Sequence, residues 1–411
     1  MEIVTNRPEL LAPAGGREQF EAALLYGADA VYLGGQELSL RAACQGFSGE
    51  ELEKAVREAH AAGVRVYYCL NAMPYDGQLA DVEAVLETLP DLGPDGLILA
   101  DPGVLRLAGR LCPDIPVHLS TQAHTVNRAS VAFWKDAGVM RVNLARELGA
   151  GAIRDVIRAC PDMEFELFVH GAMCLALSGH CLLSAWVNRR PANLGRCTQP
   201  CRFDYRGVSL SVEEGKRAGE ILWHAQQGET FSGIWAPDDL CLLRWLPWFF
   251  RVGAHALKIE GRTKSGGHVA QVVDAYRTAL DAQAAGQWSS SLFEDCLNEL
   301  FHTASRPLSS GFFLPRRRLE RPGEGFVPRP AAARLLEPLG EGSWRMQVRA
   351  PWSTEREAVV LVPGLRRPVL RPGTYTLENH RGERTDLLHP GMEGVLHCDL
   401  AELERGFYVR V

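Results

Sequence analysis

The chain has 411 residues, is 46% hydrophobic and 23% charged, and carries a formal charge of -6. That balance belongs to ordinary globular proteins; it excludes low-complexity and collagen-like classes, and argues against nucleic-acid binding over the whole surface while leaving local basic patches open. No uncharged apolar run approaches the ~20 residues a membrane-spanning helix needs, and Met1–Arg7 lacks the basic-then-apolar order of a secretory signal, so a cytoplasmic protein without a membrane partner is expected.

From residue 9 onward, short apolar runs alternate with amphipathic segments. The runs are Glu9–Pro13, Ala30–Gly34, Arg65–Asn71, Gly96–Asp101, Pro116–Gln122, Arg141–Arg146, Glu164–Gly171 and Ala256–Arg262. Between the second and third, Ser48 with Glu51 reads as a capping box, and Leu52, Val56 and Ala59 follow at helical spacing up to Gly63. Eight such alternations predict an α/β fold, a (β/α)8 TIM-like barrel whose parallel strands are buried on both faces. A doubly wound sheet is the alternative, but no G-x-G-x-x-G follows the first run. Chemistry in a barrel sits at the C-terminal strand ends. Those ends carry Asn71, Asp101, Ser120 with Gln122, Arg146 with Glu147, His170, and Glu260 with Arg262.

The seventh and eighth runs are separated by a Cys-rich insertion of about residues 172–255, far longer than a βα unit needs. After the eighth run, Val269–Ala285 reads as a helix, which closes a barrel domain over 1–305. The Arg- and Pro-rich stretch 306–330 reads as a linker. From 331 to 411 short strands with Gly and Pro turns predict a small all-β domain, a barrel or sandwich.

Of 11 cysteines, Cys174, Cys181, Cys197, Cys201 and Cys241 cluster in the insertion while the rest are scattered. In a reducing compartment a disulfide framework is not expected. Irregularly spaced thiols in a loop suit an iron–sulfur cluster; zinc, which prefers paired C-x2-4-C knuckles, and simple burial also stay open on spacing alone.

The run Glu166-x-Phe168-x-His170-Gly171-Ala172-Met173-Cys174, followed by Ser178-Gly179-x-Cys181-x-x-Ser184, resembles the signature of the U32 peptidase (collagenase-like) family. Similar wording extends over Glu9–Gly15, Gly27–Tyr32, Asp101–Gly103, His118–Gln122, Asn188–Arg202 and Lys258–Arg262, covering about residues 9 to 285. Within the family it is most similar to the branch that hydroxylates the tRNA wobble uridine to 5-hydroxyuridine; related branches modify a ribosomal RNA cytidine or a quinone precursor. The resemblance implies a 4Fe-4S cluster, with Cys174, Cys181 and Cys197 as ligands and Cys201 as the fourth, Cys241 being the alternative. It also implies prephenate as the oxygen donor and tRNA, or ribosomal RNA, as the partner. An electron-transfer partner and the oligomeric state are left open.

Candidate roles follow. His170 and Glu260 are the expected catalytic groups. Asn71, Gln122, Arg146 and Arg262 are expected to bind substrate, Arg262 because its planar fork matches a carboxylate. Arg189, Arg190 and Arg202 could hold RNA phosphates, or could offset the charge of a thiolate-bound cluster. Two alternatives to a hydroxylase remain: a peptidase, or an RNA-presenting protein with a structural cluster. Neither H-E-x-x-H nor G-x-S-x-G occurs, and a cysteine nucleophile needs one activated thiol where this segment supplies four.

Overall fold

The structure, a computed structural model, describes residues 7–35, 46–174, 238–315 and 318–411 continuously, with parts of 176–233 between them. Eight parallel strands close on themselves: β1 (Glu9–Pro13), β2 (Ala30–Leu33), β3 (Arg65–Leu70), β4 (Gly96–Leu99), β5 (Val117–Leu119), β6 (Val139–Asn143), β7 (Glu164–Ala172) and β8 (Ala256–Ile259). Each pairs with the next, and β8 pairs with both β7 and β1. β1, β2, β4, β5 and β8 are buried along their whole length, which is why each reads as an unbroken apolar run.

The returning helices begin where local chemistry allows. Ser48 and Glu51 form the expected reciprocal box at the start of Gly49–Ala61, and Gly63 follows with a positive φ. The Asp101 carboxylate accepts from Val104 N at 3.0 Å and caps Pro102–Leu111; this strand-end acid serves a helix rather than the barrel mouth. Asn127 and Ser265 cap Arg128–Asp136 and Gly266–Ala284 in the same way.

Most apolar burial lies between strands and helices. The barrel interior is instead partly ionic. At its N-terminal end Glu9 accepts from Arg141 at 2.8 Å and from the Tyr67 hydroxyl at 2.7 Å, and also pairs with Arg65. Arg141 reaches Glu164 at 2.7 Å as well. Groups taken from water here are matched partner for partner, as buried charges require. This plug closes the bottom of the barrel.

The insertion ends in a short strand, Asp239–Cys241, antiparallel to the end of β7. Leu308–Ser309 pairs with it in turn, and Leu319–Glu320 with Leu308–Ser309. Part of the stretch expected as a linker is therefore an extension of the barrel sheet.

Residues 331–411 form an eight-stranded antiparallel sheet, from Val369–Leu370 at one edge to Arg384–Thr385 at the other, with a core of its own. It is tied to the barrel by buried polar contacts. Arg367 pairs with Asp274 at 2.7 Å and with Glu299 at 3.1 Å. Arg410 also reaches Glu299 at 3.1 Å, and the Tyr26 hydroxyl donates to Leu361 O at 2.6 Å. No helix among the described residues is long and apolar enough to cross a membrane.

Candidate active site

Above the polar plug the C-terminal ends of the strands surround a cavity of about 800 Å³, measured with its open mouth. Cys174, Cys181 and Cys197 from the insertion line it together with Asn71, Gln122, Arg146, Glu260 and Arg262. The barrel thus gathers one wall of thiols and one of strand-end polar groups, as insertion between β7 and β8 requires.

β8 supplies the chemistry of one side. Lys258, Glu260 and Arg262 stand two residues apart and all line the cavity, following the period of an extended chain. Lys258 is buried, its ammonium 2.6 Å from Glu166 Oε1 and 4.4 Å from the centre of the Tyr32 ring. Asn143 Nδ2 donates to the same Glu166 oxygen at 2.7 Å. Arg262 lies 5.7 Å from the Tyr32 ring centre, and its carbonyl packs so close to Gly15 that a Cβ there would overlap it. With Lys258 matched by Glu166, Arg262 and Arg146 against Glu260 leave the lining with a net positive charge.

Asn71 and Gln122 brace each other. Asn71 Nδ2 donates to Gln122 Oε1 at 2.7 Å, Gln122 Nε2 donates to Asn71 O at 3.1 Å, and the Ser120 hydroxyl adds a bond to Gln122 Oε1 at 3.1 Å. His180 of the insertion donates through Nε2 to Gln122 O at 3.1 Å, and His124 likewise to Ser178 O at 3.1 Å. These bonds stitch the cysteine loop to the turn that follows β5.

Arg146 directs its donors at that loop. Nε donates to the Ser178 hydroxyl at 3.0 Å, Nη1 to Ala172 O at 2.9 Å and Nη2 to Cys174 Sγ at 3.5 Å, with the guanidinium 5.2 Å from the Phe168 ring centre. Cys197 Sγ accepts from Gln199 N at 3.4 Å. All four cysteines of the loop are unbridged and half-buried. Among the described residues, no three His, Cys, Asp or Glu side chains close on one metal-sized point.

Cys201 is not among the residues that line the cavity, and two further expected residues lie elsewhere. His170 and Cys241 are paired across β7 and the short strand, and neither lines the cavity. The cause is a bulge: Lys258 of β8 faces Phe168 and Ile259 faces His170, so β7 carries one extra residue there. A bulge re-aims the side chains beyond it. Val169 joins the outer core, and the His170 ring sits 5.6 Å from Tyr276 and 6.4 Å from His268 on the helix side. Burial, reinforced by His268 and Lys264, pushes the His170 imidazole down to about 3. Cys241 Sγ lies 4.0 Å from the Tyr276 hydroxyl, and burial pushes its thiol up to about 11. Gly171 follows the bulge with φ of 110°, where an added Cβ would collide with the carbonyl oxygen of Glu260.

Arg190 is exposed, whereas Arg189 and the side chain of Arg202 lie outside the described residues. Lys258, Asn143, Tyr32 and Phe168 are cavity residues that strand-end reading passes over. The alternation Lys258-x-Glu260-x-Arg262 is the signal that would have found the first.

The chain is 37% identical over 340 residues to tRNA hydroxylation protein P of Escherichia coli, covering 74% of each chain. It is 39% identical over 311 residues to tRNA hydroxylation protein P1 of Bacillus subtilis, covering 76% of this chain and 72% of that one. To the 23S rRNA 5-hydroxycytidine C2501 synthase of Escherichia coli it is 32% identical over 284 residues, 69% of this chain and 40% of that one. Residues 15–321 match the profile of Peptidase family U32, a span holding barrel strands β2 to β8 and the cysteine loop, and with that match the chain belongs to the U32 family.

Proposed function

We propose that the chain hydroxylates a nucleobase in RNA without dioxygen, the tRNA wobble uridine giving 5-hydroxyuridine, with a 4Fe-4S cluster on Cys174, Cys181, Cys197 and Cys201 and prephenate as oxygen donor. The observation that carries this reading is that three of those thiols and the cations Lys258 and Arg262 open onto one cavity. The names of the relatives, tRNA hydroxylation protein and hydroxycytidine synthase, point the same way.

The donor set fits the cluster. The thiols are unbridged, and two accept N–H bonds of the kind that steady a thiolate. Four cysteines in one loop supply the thiolate set that an iron–sulfur cluster requires. When bound, the cluster supplies electron transfer at the cavity wall.

The chain's own residues do the rest. Arg262 meets a carboxylate of the donor and its fork fixes the orientation, while Lys258 stays paired with Glu166. Glu260, the acid on the same wall, is the group that holds a proton beside the reacting atoms. Tyr32 and Phe168 offer ring faces and exclude water. A thiol peptidase is disfavoured because, of the two histidines flanking Cys174, His170 turns to the outside of the barrel and His180 spends its Nε2 on the Gln122 carbonyl.

Nucleoside mass spectrometry of RNA from a strain lacking the gene tests the proposal. Loss of 5-hydroxyuridine from tRNA, restored by the intact gene, is the expected result. Loss confined to ribosomal RNA would move the substrate, and unchanged modification in both would sink the hydroxylase reading.

A further inference from the structure

Arg146 stands at the cavity yet spends its hydrogen bonds on the cysteine loop. Its backbone is anchored by the barrel, since Ala145 N donates to Thr125 O at 3.2 Å and Leu144 N to Glu166 O at 3.2 Å. Its guanidinium plane is set against Phe168 of β7, 5.2 Å from the ring centre. Four bonds then run to the loop: two to the Ser178 hydroxyl, one to the Ala172 carbonyl and one, at 3.5 Å, to Cys174 Sγ. Ser178 is itself buried and held from the other side by His124.

We propose that Arg146 is a positioning residue of the cluster rather than a grip on the substrate: it fixes the Cys174 thiolate and raises the reduction potential of the iron–sulfur group bound there. The proposal rests on the cluster reading above. Reduction adds an electron to a group already made negative by its thiolates, and a guanidinium bonded to one of those sulfurs stabilises the added charge. Cys197 Sγ accepts instead from a neutral backbone amide, that of Gln199. Arginine suits the position because one rigid fork can reach a carbonyl, a hydroxyl and a sulfur at once, which an ammonium cannot.

The test uses the full chain, reconstituted anaerobically with iron and sulfide and titrated potentiometrically with visible absorption and EPR as readouts. Arg146→Gln should keep its iron and show a potential lower by about 59 mV, the one-electron equivalent of a tenfold change in the reduction equilibrium. Arg146→Lys should fall between that variant and the wild type. An Arg146→Gln protein with full iron and an unshifted potential overturns the proposal. Should that variant fail to hold iron, Ser178→Ala, which keeps the cation and removes its anchor, must shift the potential in the same direction; no shift overturns the proposal equally. A wild-type chain that takes up no cluster would instead sink the functional reading itself.

Discussion

His170 illustrates how little a side chain's place in a motif says about its surroundings. Its folded pKa of about 3 lies below the ordinary histidine value near ~6.5 because burial disfavours the cation. Below ~6.5 the unfolded chain takes up a proton that the folded chain refuses, so stability is lost as pH falls from there toward 3. At pH 5 the loss from this one residue is on the order of 2 kcal/mol. His170→Leu should therefore lose less melting temperature than the wild type between pH 7 and pH 5. Because the ring is off the cavity wall, the variant should also keep the proposed RNA hydroxylation, measured by nucleoside analysis. A dead, fully folded variant would restore a catalytic role. The two candidate fourth thiols separate in the same manner. Cys201→Ser should lose iron, and Cys241→Ser, whose thiol is packed against Tyr276, should keep it, as read by iron content per chain.

At the scale of elements, the β7–β8 pair decides the site. The bulge sends Val169 and His170 outward and leaves Phe168 inward, and Gly171 then lets β7 pass against the Glu260 carbonyl. Gly171→Ala must strain a positive φ, about 1–3 kcal/mol from the backbone alone, and must also push Glu260 away. Its expected signature is a lower denaturant midpoint with a weakened affinity for the donor anion. Unchanged values for both would show that the close approach is dispensable. The insertion is tied to the barrel by the Arg146 and His124 side chains and by the Gln122 carbonyl, which accepts from His180.

For the whole molecule, the all-β region is a docked part of the fold. Burial pushes the Asp274 carboxyl up even though Arg367 lies beside it, so this acid depends on its partner to stay charged. Arg367 serves Glu299 as well. Arg367→Met leaves the buried Asp274 carboxylate without its cation, Glu299 keeping Arg410, and should cost about 3–5 kcal/mol, the usual consequence of breaking a buried pair from one side. Urea unfolding followed by intrinsic fluorescence would measure it. Stability within 1 kcal/mol of the wild type, roughly the worth of an exposed pair, would show that the interface is held by apolar contact instead.

The amino-acid sequence by itself determined the eight strands, since segments buried on both faces must be continuously apolar and only a few turns can follow them. It also determined the all-β region after residue 331, and the capping box at Ser48, because both are written in local chemistry. It placed Asn71, Gln122, Glu260 and Arg262 at strand ends and the cysteines in one loop, and all four polar residues reached the cavity with Cys174, Cys181 and Cys197. What only the tertiary structure decided is direction. Asp101 turns to cap a helix, Arg146 turns to the cysteine loop, and His170 and Cys241 face outward past a bulge that exists only when β7 meets β8. Lys258 reads as one polar residue in an apolar run until Glu166, ninety-two positions away, is seen to hold it. Facing in a strand has a period of two residues, so one extra residue in a pairing reverses it, and that pairing is a property of two distant segments rather than of either one.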